Sequence, residues 1–339
     1  MTRSLFVTAV LTVYALAPLS SVSSQSSSPL DQQAASIQAL TLVGSDVLYA
    51  GSFGFGLFRS EDRGATWLKS GEGVSDPFIL CLATAKDGTV YVGTFREGVF
   101  RSANQGKTWQ SVNTGLKRKE VKTLLAVGDV MYAGTADGVY RLRRADDRWT
   151  VVTSGLDEIL VHALAQSQDG TLYAGTSGKG VLRFKADSTG WVRLRHGLKD
   201  HEGMVENFIR VLTIDPEGGI YAGTFDGGVF RSHDGGDTWR PISRALPNDS
   251  IRGIVFNSRG LFVATGHGIF KTTDKGRQWV PINNGLTSMA VQVLVESSSG
   301  SLYAGTNAGA FRSDDDGKSW NAINEGLEAG VAPPPFLFR

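Results

Sequence analysis

A chain of 339 residues with 41% hydrophobic and 20% charged content can bury a sizeable core, which excludes a disordered or fibrous class. Its 34 basic and 33 acidic residues leave a net charge of +1, so the overall balance gives no pull toward nucleic acid or an anionic membrane. A single cysteine, Cys81, excludes an intrachain disulfide; set in the apolar run Phe78-Ile-Leu-Cys-Leu82, it reads as a buried, inert thiol.

In chain order, residues 1–25 read as an export signal. Met1-Thr-Arg3 supplies a positive start, Leu5 to Ala17 an apolar run, and Ser20 to Ser24 a small-residue cleavage zone. That run is shorter than the roughly 20 residues needed to span a bilayer, and no cysteine follows it for lipid attachment. The expected localisation is periplasmic or extracellular, with no membrane span after cleavage. Residues 26–35, rich in Ser and Gln, read as a flexible lead-in.

From residue 36 to 328 one unit repeats seven times. Its tryptophans, Trp67, Trp109, Trp149, Trp191, Trp239, Trp279 and Trp320, are spaced by 42, 40, 42, 48, 40 and 41 residues. In the second copy Phe78 to Ala85 reads as strand A, Lys86-Asp-Gly88 as a turn, and Thr89 to Thr94 as strand B. Gly98 to Ser102 then forms strand C and Thr108 to Val112 strand D. Such a sheet alone exposes apolar faces on both sides, and only stacking around a ring hides them. The fold class is therefore all-β, a seven-bladed β-propeller with four antiparallel strands per blade and strand A nearest the axis. The strand B phrase Tyr-Ala-Gly points to inter-blade packing. A basic residue recurs in strand C (Arg59, Arg101, Arg141, Arg183, Arg231, Lys271 and Arg312) and reads as a structural pairing group.

The loop from strand C to strand D carries the most specific motif, Ser-x-Asp-x-Gly-x-Thr-Trp. It is complete at Ser60 to Trp67 and Ser232 to Trp239, and looser at Ser102 to Trp109, Thr272 to Trp279 and Ser313 to Trp320. Its centres are Asp62, Asn104, Asp234, Asp274 and Asp315. The side chain accepts backbone N–H bonds across the turn, Gly permits positive φ, and Trp is expected to pack beneath the hairpin. Blades three and four lack this frame between Leu142 and Trp149 and between Phe184 and Trp191. The run Asp314-Asp-Asp-Gly317 is in phase with the motif and reads as structural rather than as a calcium site.

On these residues the chain resembles the Asp-box or BNR repeat family, and its wording is most similar to exported bacterial sortilin-like and photosystem II stability/assembly factor-like propellers. The resemblance implies a folding role for the box, on the face opposite the functional one. It names no ligand. A sialidase phrase Arg-Ile-Pro is missing, and every tyrosine except Tyr14 belongs to the repeat.

Departures from the repeat accumulate at the start of strand A, where the residue after the leading apolar one is Gln38, Leu80, Lys122, His162, Arg210, Arg252 or Gln292. Pointing into the channel mouth, these would focus positive potential suited to an anionic ligand; paired with Glu120, Glu158, Glu206 or Asp249, they would be structural. A second departure is the longer step before Trp239, which falls in Lys199 to Asn207 and brings Asp200, His201, Glu202 and Glu206 beside the same face. No His spacing suits zinc, and no cofactor is expected. The leading expectation is a monomeric, non-enzymatic binder of a protein segment or carbohydrate on the top face. One alternative is a glycoside hydrolase or lyase with carboxylates from Glu202, Glu206, Asp226 or Glu97 about 5 to 10 Å apart; another is a sensory ligand-binding module. Residues 329–339, with Pro333-Pro-Pro335 before Phe336-Leu-Phe338, read as a tail whose apolar tip docks on the ring.

Overall fold

A computed structural model divides the chain into two units, Met1–Gln32 and Gln33–Arg339. The structure describes residues 34–152, 156, 158–194, 196–198, 208–244, 246 and 250–328, all within the second unit. The export signal, the loop from Lys199 to Asn207 and the tail lie outside the described residues.

Seven four-stranded antiparallel meanders make up this unit, with no helix among the described residues. The A strands are Ile37–Val43, Ile79–Thr84, Val121–Val127, Val161–Gln166, Ile209–Ile214, Ile251–Asn257 and Val291–Glu296. Each touches the A strand of the next blade, and that of blade seven returns to blade one, which closes a seven-bladed β-propeller. Ala35 N donates to Leu327 O at 2.8 Å and Ala34 bridges Glu328, so both ends of the described ring meet.

The Tyr-Ala-Gly phrase of strand B is what lets the blades approach. A Cβ on Gly51 would lie 2.3 Å from Ile79 of the next blade, and Gly93, Gly134, Gly175, Gly223 and Gly305 stand likewise against Val121, Val161, Ile209, Ile251 and Ile37. Each glycine is a socket for the first side chain of the following strand A. The neighbouring Tyr49, Tyr91, Tyr173, Tyr221 and Tyr303 are buried among residues of two successive blades, the packing role expected of them.

Strand D is shorter than the sequence suggests. In blade two it is Gln110–Ser111, and Trp109 precedes it. The tryptophans pack against their own blades as expected, Trp67 beside Leu48 and Phe58 and Trp239 against Gly236 of its own box; five of them also reach back to the preceding blade. Nε1 of Trp67, Trp149, Trp279 and Trp320 donates to the carbonyls of Ile323, Val112, Ile242 and Ile282 at 2.6–3.0 Å, and Trp109 donates to Ser70 O. Those carbonyls follow an outermost strand with no further strand to pair, so the indole N–H supplies their partner.

In the box of blade one, Asp62 Oδ1 accepts from Thr66 N at 2.9 Å and Oδ2 from Thr66 Oγ1 at 2.6 Å, while Gly64 N donates to Ser60 Oγ at 2.8 Å. Asp234 and Asp315 repeat this set. Asn104 accepts from Thr108 N at 3.1 Å, and Asp274 from Gln278 N at 2.9 Å. Positive φ falls on two consecutive residues, 62° at Arg63 and 90° at Gly64, rather than on glycine alone. In blades three and four simple turns replace the box, closed by Asp146 N to Arg143 O and Ser188 N to Lys185 O, both 2.9 Å. Within the acidic run, Asp314 lies 2.8 Å from Arg312 and Asp316 2.7 Å from Arg259. Five of the seven strand C cations form ion pairs, among them Arg183, which meets Asp237 at 2.9 Å, and Arg231, which meets the fully buried Asp215 at 2.8 Å; Arg101 and Arg141 have none among the described residues.

Ile37 pairs with Ser52, so strand A begins and strand B ends on one face, the top. The boxes lie on the other, where Arg63 N donates to Asp46 O in the A-to-B turn at 2.9 Å.

Candidate functional site

Every strand A carries a β-bulge at its second residue. Pairing with strand B skips Gln38, Leu80, Lys122, His162, Arg210, Arg252 and Gln292 in turn. A bulge leaves one residue out of the ladder and re-aims its side chain. All seven converge on one cavity of about 330 Å³ at the axis. The bulge itself left no mark in the sequence; only the irregular residue types did.

Their surroundings differ. Gln38 Nε2 donates to Ser36 Oγ at 3.0 Å, Gln292 Nε2 to Asn307 Oδ1 at 2.7 Å, and Lys122 Nζ sits 2.6 Å from Glu120. His162 Nε2 lies 2.6 Å from Ser177 Oγ, and its ring packs 4.7 Å from that of Phe208. Burial, with Lys122 and Arg210 nearby, lowers the His162 pKa to about 4, so the imidazole is neutral at pH 7. Arg210 reaches Ser250 Oγ only at 3.5 Å. Burial, then the neighbouring Arg252, lowers its pKa; burial alone does so for Arg252. The Nε and Nη1 atoms of Arg252 are shielded from solvent with no hydrogen-bond partner.

No carboxylate is among the described residues lining the cavity. Glu97 and Asp226 are exposed and outside the lining, and Glu97 stands 3.6 Å from Lys119. His201, Glu202, Glu206 and Asp249 lie outside the described residues. Cys81 also lines the mouth, but its Sγ turns between blades toward Val121 O at 3.5 Å, and burial pushes the thiol up to about 12.

One group escaped the sequence reading. Phe53, Phe95 and Phe225 directly follow strand B on the top face and are 47%, 37% and 48% exposed. Phe53 contacts Phe78 at 4.7 Å, and Phe225 contacts Phe208 at 5.5 Å. Cations stand over these rings: Arg96 is 4.8 Å from Phe78, Lys122 5.6 Å from Phe95 and Arg210 4.8 Å from Phe225. The signal was present, because the other blades place Ala136, Ser177, Gly266 and Asn307 at that position.

Fold and boxes together define a seven-bladed β-propeller, five of whose blades carry an Asp-box hairpin. The model of the BNR-Asp box repeat matches residues 57–70, which hold strand C, the box and strand D of blade one. No curated protein matches the chain in sequence. Among solved structures it resembles the BT3049 extracellular domain of B. thetaiotaomicron, assigned to a hybrid two-component system. There the TM-score is 0.71 at 18% identity, over 85% of this chain and 40% of that one. YCF48 bound to D1 peptide gives a TM-score of 0.65 at 14% identity, over 83% and 93% of the two chains. The Niastella koreensis GH74 enzyme gives 0.67 at 12% identity, over 87% and 55%. This chain therefore spans less than half of the BT3049 domain, and at these identities the likeness is one of fold.

Proposed function

We propose that the chain is an exported, non-enzymatic binding propeller that receives a segment of a partner protein on its top face. The observation that carries this reading is the convergence of seven bulge residues on one cavity, three of them cationic and none acidic, beside exposed phenylalanines. Exposed aromatic rings next to desolvated cations are the composition of a recognition surface rather than of ordinary solvated protein. Two similar folds point the same way, YCF48 with a bound peptide and an extracellular domain of a two-component system. Export rests on the basic, apolar and small-residue order of residues 1–25.

The test is selection of a displayed peptide library on residues 26–339, followed by binding to the Phe53→Ser/Phe95→Ser/Phe225→Ser variant with unchanged circular dichroism. Selected peptides are expected to lose at least about tenfold in affinity, two rings costing more than RT ln 10 together. Selection of nothing, or of peptides indifferent to the three rings, overturns the reading.

A further inference from the structure

The polar groups at the mouth are not equally provided for. Gln38, Gln292, His162 and Lys122 each have a partner within 3.0 Å supplied by the fold. Among the described residues Arg210 has only a 3.5 Å hydrogen-bond contact, and Arg252 is the one with two shielded, unpartnered side-chain nitrogens. Two adjacent guanidinium groups without an anion among the described residues repel each other and have lost hydration, so the free protein holds them at a cost. Such an arrangement persists where an incoming group completes it.

We propose, on the reading given above, that Arg210 and Arg252 seat one carboxylate of a bound peptide, with an apolar neighbour of that carboxylate resting on Phe225.

A guanidinium presents parallel N–H donors that match the two oxygens of a carboxylate. The cavity of about 330 Å³ admits one or two side chains but no folded surface, so a single carboxylate enters while its neighbours stay on the rim. Phe225, 48% exposed and stacked under Arg210 at 4.8 Å, has no hydroxyl or indole N–H to offer. Its face suits an aliphatic or aromatic side chain better than a sugar. Lys122 is the internal contrast, since Glu120 at 2.6 Å already neutralises it. Both a side-chain and a chain-terminal carboxylate have the required chemistry.

The experiment is titration calorimetry at low salt on residues 26–339. Its probes are acetyl-Phe-Glu-Phe amide, acetyl-Phe-Gln-Phe free acid, the neutral acetyl-Phe-Gln-Phe amide, and glucuronate. At least one acidic peptide should bind about tenfold or more tighter than the neutral one, and which of the two does so separates side chain from terminus. Arg252→Gln should erase that preference, while Lys122→Gln changes it less than about threefold. Arg252→Lys, which keeps the charge but not the fork, should lose most of it too. The site assignment is overturned if no probe binds, if the neutral peptide binds equally well, or if Lys122→Gln costs as much as Arg252→Gln. Glucuronate binding tighter than both acidic peptides overturns the peptide assignment. The two readings separate cleanly: peptides that need the Phe rim but ignore Arg252 leave the function standing and remove this site, whereas Arg252-dependent probe binding without any library hit does the reverse.

Discussion

The two faces of this propeller treat polar groups in opposite ways. On the box face, Asp234 accepts from Ser232 Oγ and from both Thr238 N and Oγ1, and Arg231 meets Asp215 in the same blade. At the mouth, two arginines of the adjoining blades face a cavity with no anion among the described residues. Arg231 is thus paired with a carboxylate, though its Nε has no partner, whereas Arg252 has no anion among the described residues and lacks partners for both Nε and Nη1. Repetition fixes the first arrangement in blade after blade; the second occurs only where the repeat is broken, and that is where recognition is to be sought.

The sharpest way to break the comparison is Arg231→Met. Asp215 would remain fully buried with only Gly219 N and Tyr221 Oη as donors, at 2.6 and 3.1 Å. Loss of one partner of a buried pair is expected to cost about 3–5 kcal/mol, read as a lower midpoint in urea unfolding. A loss below about 1 kcal/mol would mean that this arginine is no more structural than those at the mouth.

Next in size is Gly326→Ala, at the seam between blades seven and one. Its φ is 84°, and an added Cβ would come 2.1 Å from Trp67 O, a backbone atom that cannot give way. The expected cost is about 2–4 kcal/mol. Gly44, with φ of 66° and open space around it, should lose only about 1 kcal/mol on the same change. Equal losses at the two positions would show that the seam does not depend on this close approach.

Titration contrasts the faces more gently. The folded His162 has a pKa of about 4 against an ordinary 6.5. Between those values the unfolded chain holds a proton that the folded chain refuses, so stability should fall as pH drops from 6.5 to 4. Lys122 and Arg210 oppose that proton and Glu120 favours it. In His162→Gln the slope in this window should flatten. Asp62, Asp234 and Asp315 have pKa values lowered to about 2 by the Thr or Ser side chain of each box. Their contribution, present above the ordinary carboxylate range near 4, should be lost as pH falls from about 4 to 2. Asp234→Asn should remove part of that acid slope with little change at pH 7, since Asn104 already serves in blade two. Unaltered slopes in both variants would dissolve the contrast.

How much of this was legible depended on whether a feature repeats. The seven blades, the buried strand B tyrosines and the box bonds follow from a period that local physics enforces in every copy. The seven mouth residues were found together because their types vary against a constant frame. The bulge that aims them was not legible, because it involves no special residue; it lies between two apolar positions, as in Ile209-Arg210-Val211. The indole N–H bonds of five tryptophans were not legible for a related reason: the carbonyls they cap belong to another blade, and a sequence shows only its own hairpin. Phe53, Phe95 and Phe225 were passed over because each follows a consensus phrase and looks like its end.

The smallest expected effect is the most telling in sign. A shielded guanidinium nitrogen without an acceptor costs about 1–3 kcal/mol, and Arg252 has two of them. Methionine keeps much of the aliphatic stem that lines the cavity and removes the charge that Arg210 opposes. Arg252→Met should therefore raise the unfolding free energy by about 1 kcal/mol, a gain of about 2 °C in Tm. The identical substitution at Arg231 is expected to do the opposite. A residue that weakens the free fold and is needed for a ligand is held there by the ligand, whereas one whose loss unfolds the blade is held by the blade. If Arg252→Met instead lowers Tm as Arg231→Met does, the mouth is structure like the rest of the ring, and the difference between the two faces disappears.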